Sequence, residues 1–355
     1  MSKKIKLSLI LEKEEEIHIK NDNQEEKKHE QTNINEGEKS IKMVKEQVTS
    51  FVVKYSLPNQ RCLAFSIDGK LMACDSSGKH VYIRDTVTGK NISMLEGCIG
   101  QGRGGAFSTD NKLFAVGCWN YSVRLWNTAN GKHLFSFTGH DETISNVLFM
   151  SDNRLIVSGS FDKSVRIWDI ITNKCVAILT DHTDVINCIT SSPNDKLLVT
   201  SSYDSSIRIY DIMTKKCVEI LTGHTKGVIQ VAVSLDSKLI ASCGWDKENK
   251  TGFQIWNIAT GECICTLTGC GHAYRMVFTN DSKSIIGCCS TGRDEIHNVK
   301  IWDIATGTHL STLPDCDKCV NTLQLTSDGN IMIGLGSLID TEYKFVVYNL
   351  IDNKN

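Results

Sequence analysis

The chain has 355 residues, of which 41% are apolar and 23% charged, and its formal net charge is -2. This balance leaves no basic excess to displace counterions from phosphates, which argues against a general nucleic-acid binder. No apolar run is long enough to span a membrane, and Ile5–Leu11 is too short for a signal sequence. We therefore expect no membrane insertion and an intracellular protein, either cytoplasmic or nuclear.

Residues 1–48 form the first predicted segment, rich in Glu, Lys, Asn and Gln, and we expect a charged, disordered extension before a domain at residues 49–355. Two alternatives stay open within it. The stretch Leu7–Glu16 is similar to a SUMO-interacting motif, an apolar strand with an acidic flank. The series Ile41, Val44, Val48 and Phe51 has heptad-like spacing over two helical turns, which is too brief for a coiled coil.

From about residue 50 onward the chain repeats itself. The stretch Ser158–Ile170 (SGSFDKSVRIWDI) returns 42 residues later as Thr200–Ile212 (TSSYDSSIRIYDI). A dipeptide marks the same point of each unit, at successive spacings of 42, 42, 42, 46, 46 and 46 residues. Its seven occurrences are Arg84-Asp85, Trp126-Asn127, Trp168-Asp169, Tyr210-Asp211, Trp256-Asn257, Trp302-Asp303 and Tyr348-Asn349. A fixed period of this length indicates a repeat architecture.

Each unit contains four short runs in which apolar and polar residues alternate, separated by polar turn signals. Alternation with a period of two predicts four antiparallel strands per unit. The last unit stops after its third strand, Lys344–Leu350, whereas Ser50–Leu57 alternates correctly and precedes the first unit. We expect this N-terminal strand to complete the last unit and close a ring, which leaves no open edge.

The period, the Gly-His pairs and the Trp-Asp pairs together resemble those of the WD-repeat (WD40) β-propeller family. The pairs in question are Gly139-His140, Gly223-His224, Trp168-Asp169 and Trp302-Asp303. The resemblance implies an all-β fold: a seven-bladed propeller with four antiparallel strands in each blade.

Some residues of catalytic type recur from blade to blade, which no single active site would require. The resemblance implies that they form a structural hydrogen-bond network inside each blade. The set consists of His140, Ser158, Asp162 and Trp168 in blade 3, His182 and Asp204 (with Thr200) in blade 4, and His224, Asp246 and Trp256 (with Ser242) in blade 5. We therefore predict no catalytic residue.

The 15 cysteines fall mostly on positions that the repeat explains, and we expect free thiols. A zinc site is the alternative, because a C-x-H and a C-x-x-C pattern stand on neighbouring predicted loops. Its ligands would be Cys270, His272, Cys316 and Cys319. Since the repeat accounts for two of the four, we expect no metal and no other cofactor.

A row of aromatic residues stands at one repeated position, in loops that the fold family turns toward one face. The row consists of Trp119, Phe161, Tyr203 and Trp245, in blades 2 to 5, and longer charged loops, which contain Lys247 and Arg293, occur in blades 5 to 7. Aromatic residues dominate protein-binding hot spots. We predict that these six residues bind protein partners, including an extended peptide segment. Local packing of the aromatic residues is the alternative, and we expect the propeller itself to be monomeric.

The favoured function is a non-enzymatic scaffold or adaptor that helps to assemble a multiprotein complex. A ubiquitin-ligase substrate receptor is one alternative, although such receptors usually carry Arg where this chain has Ile171, Met213 and Ala305. A G-protein β-like signalling subunit is another, weakened by the short N-terminal heptad series. An enzyme is the third alternative, since fold alone does not fix function.

Overall fold

The computed structural model describes residues 48–58, 60–76, 80–95, 97, 104–245, 252–267, 272–290, 297–313, 320–336 and 342–350. Within these ranges the regular structure consists of β-strands. Where the chain is described, no helix is long and apolar enough to cross a membrane. The predicted extension at residues 1–48 lies outside the described residues except for Val48.

Seven sheets of four strands make up the molecule, and each corresponds to one unit of the sequence repeat. Blades 1 to 3 contain β2 (Gln60–Phe65), β3 (Leu71–Ser76), β4 (His80–Asp85) and β5 (Asn91–Met94); β6 (Gly105–Phe107), β7 (Leu113–Gly117), β8 (Val123–Asn127) and β9 (His133–Phe137); and β10 (Ile144–Phe149), β11 (Leu155–Ser160), β12 (Val165–Asp169) and β13 (Lys174–Leu179). The strands of each sheet follow chain order.

Blades 4 to 6 repeat this arrangement. They contain β14 (Ile186–Ser191), β15 (Leu197–Ser202), β16 (Ser206–Asp211) and β17 (Lys216–Thr222); β18 (Val228–Val233), β19 (Leu239–Gly244), β20 (Phe253–Asn257) and β21 (Cys263–Leu267); and β22 (His272–Phe278), β23 (Ser284–Ser290), β24 (His297–Asp303) and β25 (His309–Thr312).

Blade 7 joins the two ends of the chain. It contains β26 (Val320–Leu325), β27 (Ile331–Leu335), β28 (Glu342–Leu350) and, as its outer strand, β1 (Val48–Pro58). Strand β1 runs antiparallel to β28, from Val48 opposite Leu350 to Pro58 opposite Glu342. The first strand of each blade contacts the first strand of the next, and β26 contacts β2. The predicted seven-bladed ring and its closure by an N-terminal strand are therefore confirmed.

The core lies between the blades. Facing sheets enclose apolar clusters, such as the one that joins Leu125 and Phe137 of blade 2 to Ile156 and Trp168 of blade 3. The rings of Phe137 and Trp168 lie 5.5 Å apart at their centroids. Because each sheet buries both faces in this way, its middle strands consist largely of buried residues.

The loops fall on two faces of the ring, and the hydrogen bonds show which loops lie together. The Phe161 amide, between the second and third strands of blade 3, donates to the carbonyl of Thr143 in the loop that enters this blade. Tyr203 and Val185 make the same contact in blade 4. We call this side the upper face. The first-to-second and third-to-fourth turns form the lower face, where the Ile170 amide donates to the carbonyl of Arg154.

Candidate protein-binding face and the blade networks

Blade 3 contains a chain of polar side chains that runs from its centre to the upper face. Trp168 Nε1 donates to Ser158 Oγ at 2.8 Å, and His140 Nε2 lies 2.8 Å from the same oxygen. On the other side of the ring, His140 Nδ1 lies 2.7 Å from Asp162 Oδ2. A consistent assignment follows: Nδ1–H donates to the carboxylate, and the Ser158 hydroxyl donates to Nε2.

Asp162 is the acceptor at the end of this chain. Its two oxygens also accept from the Asp141 amide at 3.1 Å and from the Ser164 amide and hydroxyl at 2.9 and 2.7 Å. Burial opposes the charged form, but hydrogen bonds from His140 and Ser164 outweigh it and hold the pKa of Asp162 well below its usual range. The carboxylate is therefore ionised at neutral pH and ties the loop entering the blade to the loop between its second and third strands.

Blade 4 repeats most of this chain. His182 lies 2.7 Å from both Asp204 Oδ2 and Thr200 Oγ1. Tyr210 replaces the tryptophan, and its side chain is buried. Burial, followed by the negative charge of Asp181, raises the pKa of Tyr210.

In blade 5, Ser242 Oγ joins His224 Nε2 at 2.7 Å to Trp256 Nε1 at 2.8 Å. Its predicted acidic member, Asp246, lies outside the described residues. The contacts of Ser242 with His224 and Trp256 match those of Ser158 with His140 and Trp168 in blade 3.

The serine, histidine and aspartate of blade 3 have the connectivity of a hydrolase triad, yet a nucleophile must also contact its substrate. Ser158 is completely buried and His140 nearly so. The Ser158 hydroxyl already bonds to both Trp168 and His140. In this arrangement the polar chain holds the blade together and offers no access to a substrate.

The other blades place different residues at the position of Ser158. By register with the third strand, this position is Cys74 in blade 1, Val116 in blade 2, Gly287 in blade 6 and Ile333 in blade 7. A Cβ on Gly287 would lie 2.2 Å from Cζ of Phe253, a buried ring of blade 5. The sequence analysis did not predict the contact between Gly287 and Phe253. A signal was visible, because blade 5 has Phe253 where blade 3 has Val165.

The predicted aromatic residues stand on the upper face, but they are not equally accessible. Trp119 and Trp245 are each 53% exposed and Tyr203 is 40% exposed, whereas Phe161 is half-buried. The rings of Tyr203 and Trp245, in neighbouring blades, lie 6.3 Å apart with 47° between their planes. We call Trp119, Phe161, Tyr203 and Trp245 the aromatic arc.

Two further features of the upper face escaped the sequence reasoning. Tyr121 is exposed beside Trp119. The loops that enter blades 3 and 4 also carry the exposed carboxylates of Asp141, Glu142 and Asp181 and the partly exposed one of Asp184. A charge count for each loop, once the faces were assigned, would have found them.

Some residues of the predicted charged loops and of the zinc alternative are outside the part of the chain that the structure describes. Lys247 and Arg293, in the charged loops, lie outside the described residues, as do Cys270, Cys316, Cys319 and the side chain of His272 from the zinc alternative. In the ranges that are described, no three His, Cys, Asp or Glu side chains are grouped closely enough to hold a metal ion. The cysteines there are free, and burial raises the pKa of Cys118 to about 11.

Fold and networks together define a seven-bladed β-propeller whose blades 3 to 5 share one polar design. The model of the WD domain, G-beta repeat, matches residues 103–127, 131–169, 173–211 and 215–249. This match is consistent with a WD-repeat family, and WD-repeat propellers are generally non-enzymatic scaffolds for protein interactions. A search of curated proteins gave no match.

Proposed function

We propose that this protein is a non-enzymatic scaffold that binds protein partners on its upper face, around the central opening, and helps to assemble a multiprotein complex. The main support is the exposure of Trp119, Tyr203 and Trp245 at one repeated position, in the loops of blades 2, 4 and 5. Exposure of large aromatic rings to water is unfavourable, and binding of a partner would bury them. Such rings are frequent hot spots of binding energy. A segment lying along the loops would contact several blades at once, which favours an extended peptide.

The test is a capture experiment with Trp119→Ala and Trp245→Ala. Truncating a binding anchor costs about 2 kcal/mol or more, so capture of the main partner should fall at least about thirtyfold. The melting temperature should stay near that of the wild type, because both rings lie largely in solvent. Met213→Ala is the matched control, since this exposed apolar side chain belongs to the lower face. Retained capture with a lowered melting temperature would show that the rings only pack.

The charged loops have a secondary role in this proposal. We expect Lys247→Ala and Arg293→Ala to change the association rate and its salt dependence more than the residence time. Surface-plasmon measurements at two salt concentrations separate these quantities. An unchanged association rate for both variants would remove the loops from the binding face.

The remaining proposals concern the state of the protein. We infer a monomeric propeller, to be checked by light scattering, and a boundary near residue 48, to be checked by limited proteolysis. We also infer an intracellular location, cytoplasmic or nuclear, supported by the free cysteines of the described residues and testable by cell fractionation.

A further inference from the structure

The geometry of two rings suggests which chemical group the upper face receives. The ring centroids of Tyr203 and Trp245 lie 6.3 Å apart with 47° between the ring planes, which is the geometry of a packed pair of aromatic side chains. We call these two rings the aromatic pair. Tyr203 is packed against the backbone at Gly227, where a Cβ would lie 2.4 Å from its Cδ1 atom. A cation within about 6 Å of a ring centroid is attracted to the ring face, and a cation placed against the aromatic pair would be near both rings.

The charges around the aromatic pair also favour a cation. In the described upper-face loops of blades 2 to 5 the acidic residues outnumber the basic ones. The acidic residues are Asp141, Glu142, Asp162, Asp181, Asp184 and Asp204, and the basic ones are Lys163 and Lys226. None of the ion pairs recorded for the described ranges involves Asp141, Glu142 or Asp184. The carboxylates of Asp141 and Glu142 are therefore available to a partner, whereas Oδ1 of Asp184 accepts a hydrogen bond from the Val185 amide.

Other occupants suit this surface less well. An acidic peptide or a nucleic acid would be repelled by the loops that enter blades 3 and 4. An apolar helix needs a continuous apolar patch, whereas Tyr203 lies beside the polar turn of Asp204 and Ser205, with Asp184 in the loop that pairs with it. Exposed rings alternating with carboxylates match side chains that combine an apolar stem with a positive head.

We propose that the aromatic arc receives a basic protein segment, and that one cationic side chain of this segment, lysine or arginine, packs against the aromatic pair formed by Tyr203 and Trp245. The inference rests on the proposed function, because it specifies the partner of the same face. Trp119 and Glu142 lie on earlier blades of the arc, where the rest of an extended segment would contact them. Salt should weaken the interaction, since part of the attraction is between exposed charges.

A random dodecapeptide library displayed on phage tests this inference on the full chain. Peptides that bind the wild type, but not the Tyr203→Ala/Trp245→Ala double variant, should be enriched in Lys and Arg over Asp and Glu. For a selected peptide made synthetically, either single ring variant should lower affinity about tenfold. Replacing its lysines by trimethyllysine or by arginine then distinguishes the kinds of cation.

Charge reversal supplies the matched control. Glu142→Lys should weaken binding several-fold and flatten its salt dependence, whereas Glu262→Lys, the same change on the lower face, should leave affinity within about twofold. If arc-dependent peptides are neutral or acidic, the inference is overturned and the proposed function stands. If no arc-dependent peptide is enriched, both fail. Melting curves of each variant exclude loss of folding as the cause.

Discussion

Blades 3 and 6 fill the middle of the same four-stranded sheet in two different ways. In blade 3 the central position is Ser158, which joins Trp168 and His140 by hydrogen bonds. In blade 6 it is Gly287, and the space is occupied by the Phe253 ring of the neighbouring blade. That ring also packs edge-on against Trp302 of blade 6, with centroids 5.2 Å apart.

The difference between the two blades indicates that the centre of the sheet must be filled, whether by hydrogen-bonded polar side chains or by an aromatic ring. A buried polar chain is stabilising only when every member has a partner, and blade 3 meets that condition. Blade 6 meets the packing requirement with an aromatic ring and no central hydroxyl. The polar chain of blade 3 also reaches the upper face, where Asp162 fixes two loops.

The packing of the Phe253 ring against Gly287 is the apolar design of blade 6. The largest expected effect comes from crowding it. Gly287→Ala adds a Cβ 2.2 Å from Phe253 Cζ and 2.4 Å from its Cε2 atom. Because Phe253 is completely buried, it cannot move aside, and we expect a loss of about 3 kcal/mol in the free energy of unfolding. Urea denaturation measures the change.

A second variant shows whether this ring is the cause. Gly287→Ser combined with Phe253→Val gives blade 6 the serine that blade 3 has at Ser158, and gives blade 5 the valine that blade 2 has at Val123. The double variant should lose clearly less free energy of unfolding than the sum of the losses of the two single variants. The change at position 253 creates space, and the serine at position 287 occupies it. Strictly additive costs would mean that the two positions do not share one space.

The next effect comes from breaking the polar design. Asp162→Ala leaves the His140 ring, the Asp141 amide and Ser164 without their shared acceptor, so we expect a loss of about 2 kcal/mol. Asn120→Ala in blade 2 is the matched control, because Asn120 accepts a side-chain bond from Ser122 alone in the described contacts, and the loss should stay below about 1 kcal/mol. Equal losses would contradict the role given to the network.

Blade 4 offers a smaller test of how the polar design is assembled. Gly139 and Gly223 lie against tryptophan rings, and a Cβ at Gly223 would be 2.9 Å from Trp256 Cη2. Blade 4 has Asp181 at this position together with the smaller Tyr210. We expect Tyr210→Trp alone to destabilise by about 1 kcal/mol, because the larger ring meets Asp181.

Adding Asp181→Gly to that variant should reverse the loss, since the indole N–H could then donate to Thr200 as Trp168 does to Ser158. Thermal melting of the two single variants and the double variant gives the interaction energy. A double variant no more stable than Tyr210→Trp would show that the residues at positions 181 and 210 are independent.

The smallest effect is on pH dependence. The pKa of Asp162 is depressed in the folded state, so its carboxylate stabilises the protein above the unfolded value of about 3.9. That stabilisation is lost as the pH falls below about 4 toward the lower folded value. From pH 7 to pH 3 Asp162→Asn should therefore lose less stability than the wild type, by on the order of 1 kcal/mol or less. Parallel curves for the two proteins would count against an ionised Asp162.

The fold could be predicted almost completely from the chain. Alternation within each unit set the strands, and the fixed period set the number of blades. The missing strand after Leu350 pointed to the strand around Phe51 as its replacement. These features depend on residues close together in sequence, or on a pattern that repeats seven times, so local information was sufficient.

The candidate site was less accessible to sequence reasoning. The recurrence of four aromatic residues located the arc, but their types did not reveal that Phe161 is half-buried while Trp119 is exposed. Nor did they show that Tyr203 and Trp245 lie close enough to share one ligand. Such distances depend on how far each loop leans toward the next blade, which no single repeat encodes.

The sequence by itself determined the seven repeats, the ring closure and the residue types of the polar design, because each follows from periodicity and from local strand chemistry. Only the tertiary structure decided that Phe253 fills the place of a serine in the next blade, and which face the carboxylates of Asp141 and Asp184 share with the exposed rings. The physical reason is register. A shift of one residue turns a strand's side chains to the opposite side, and contacts between blades join residues about 40 positions apart in the chain.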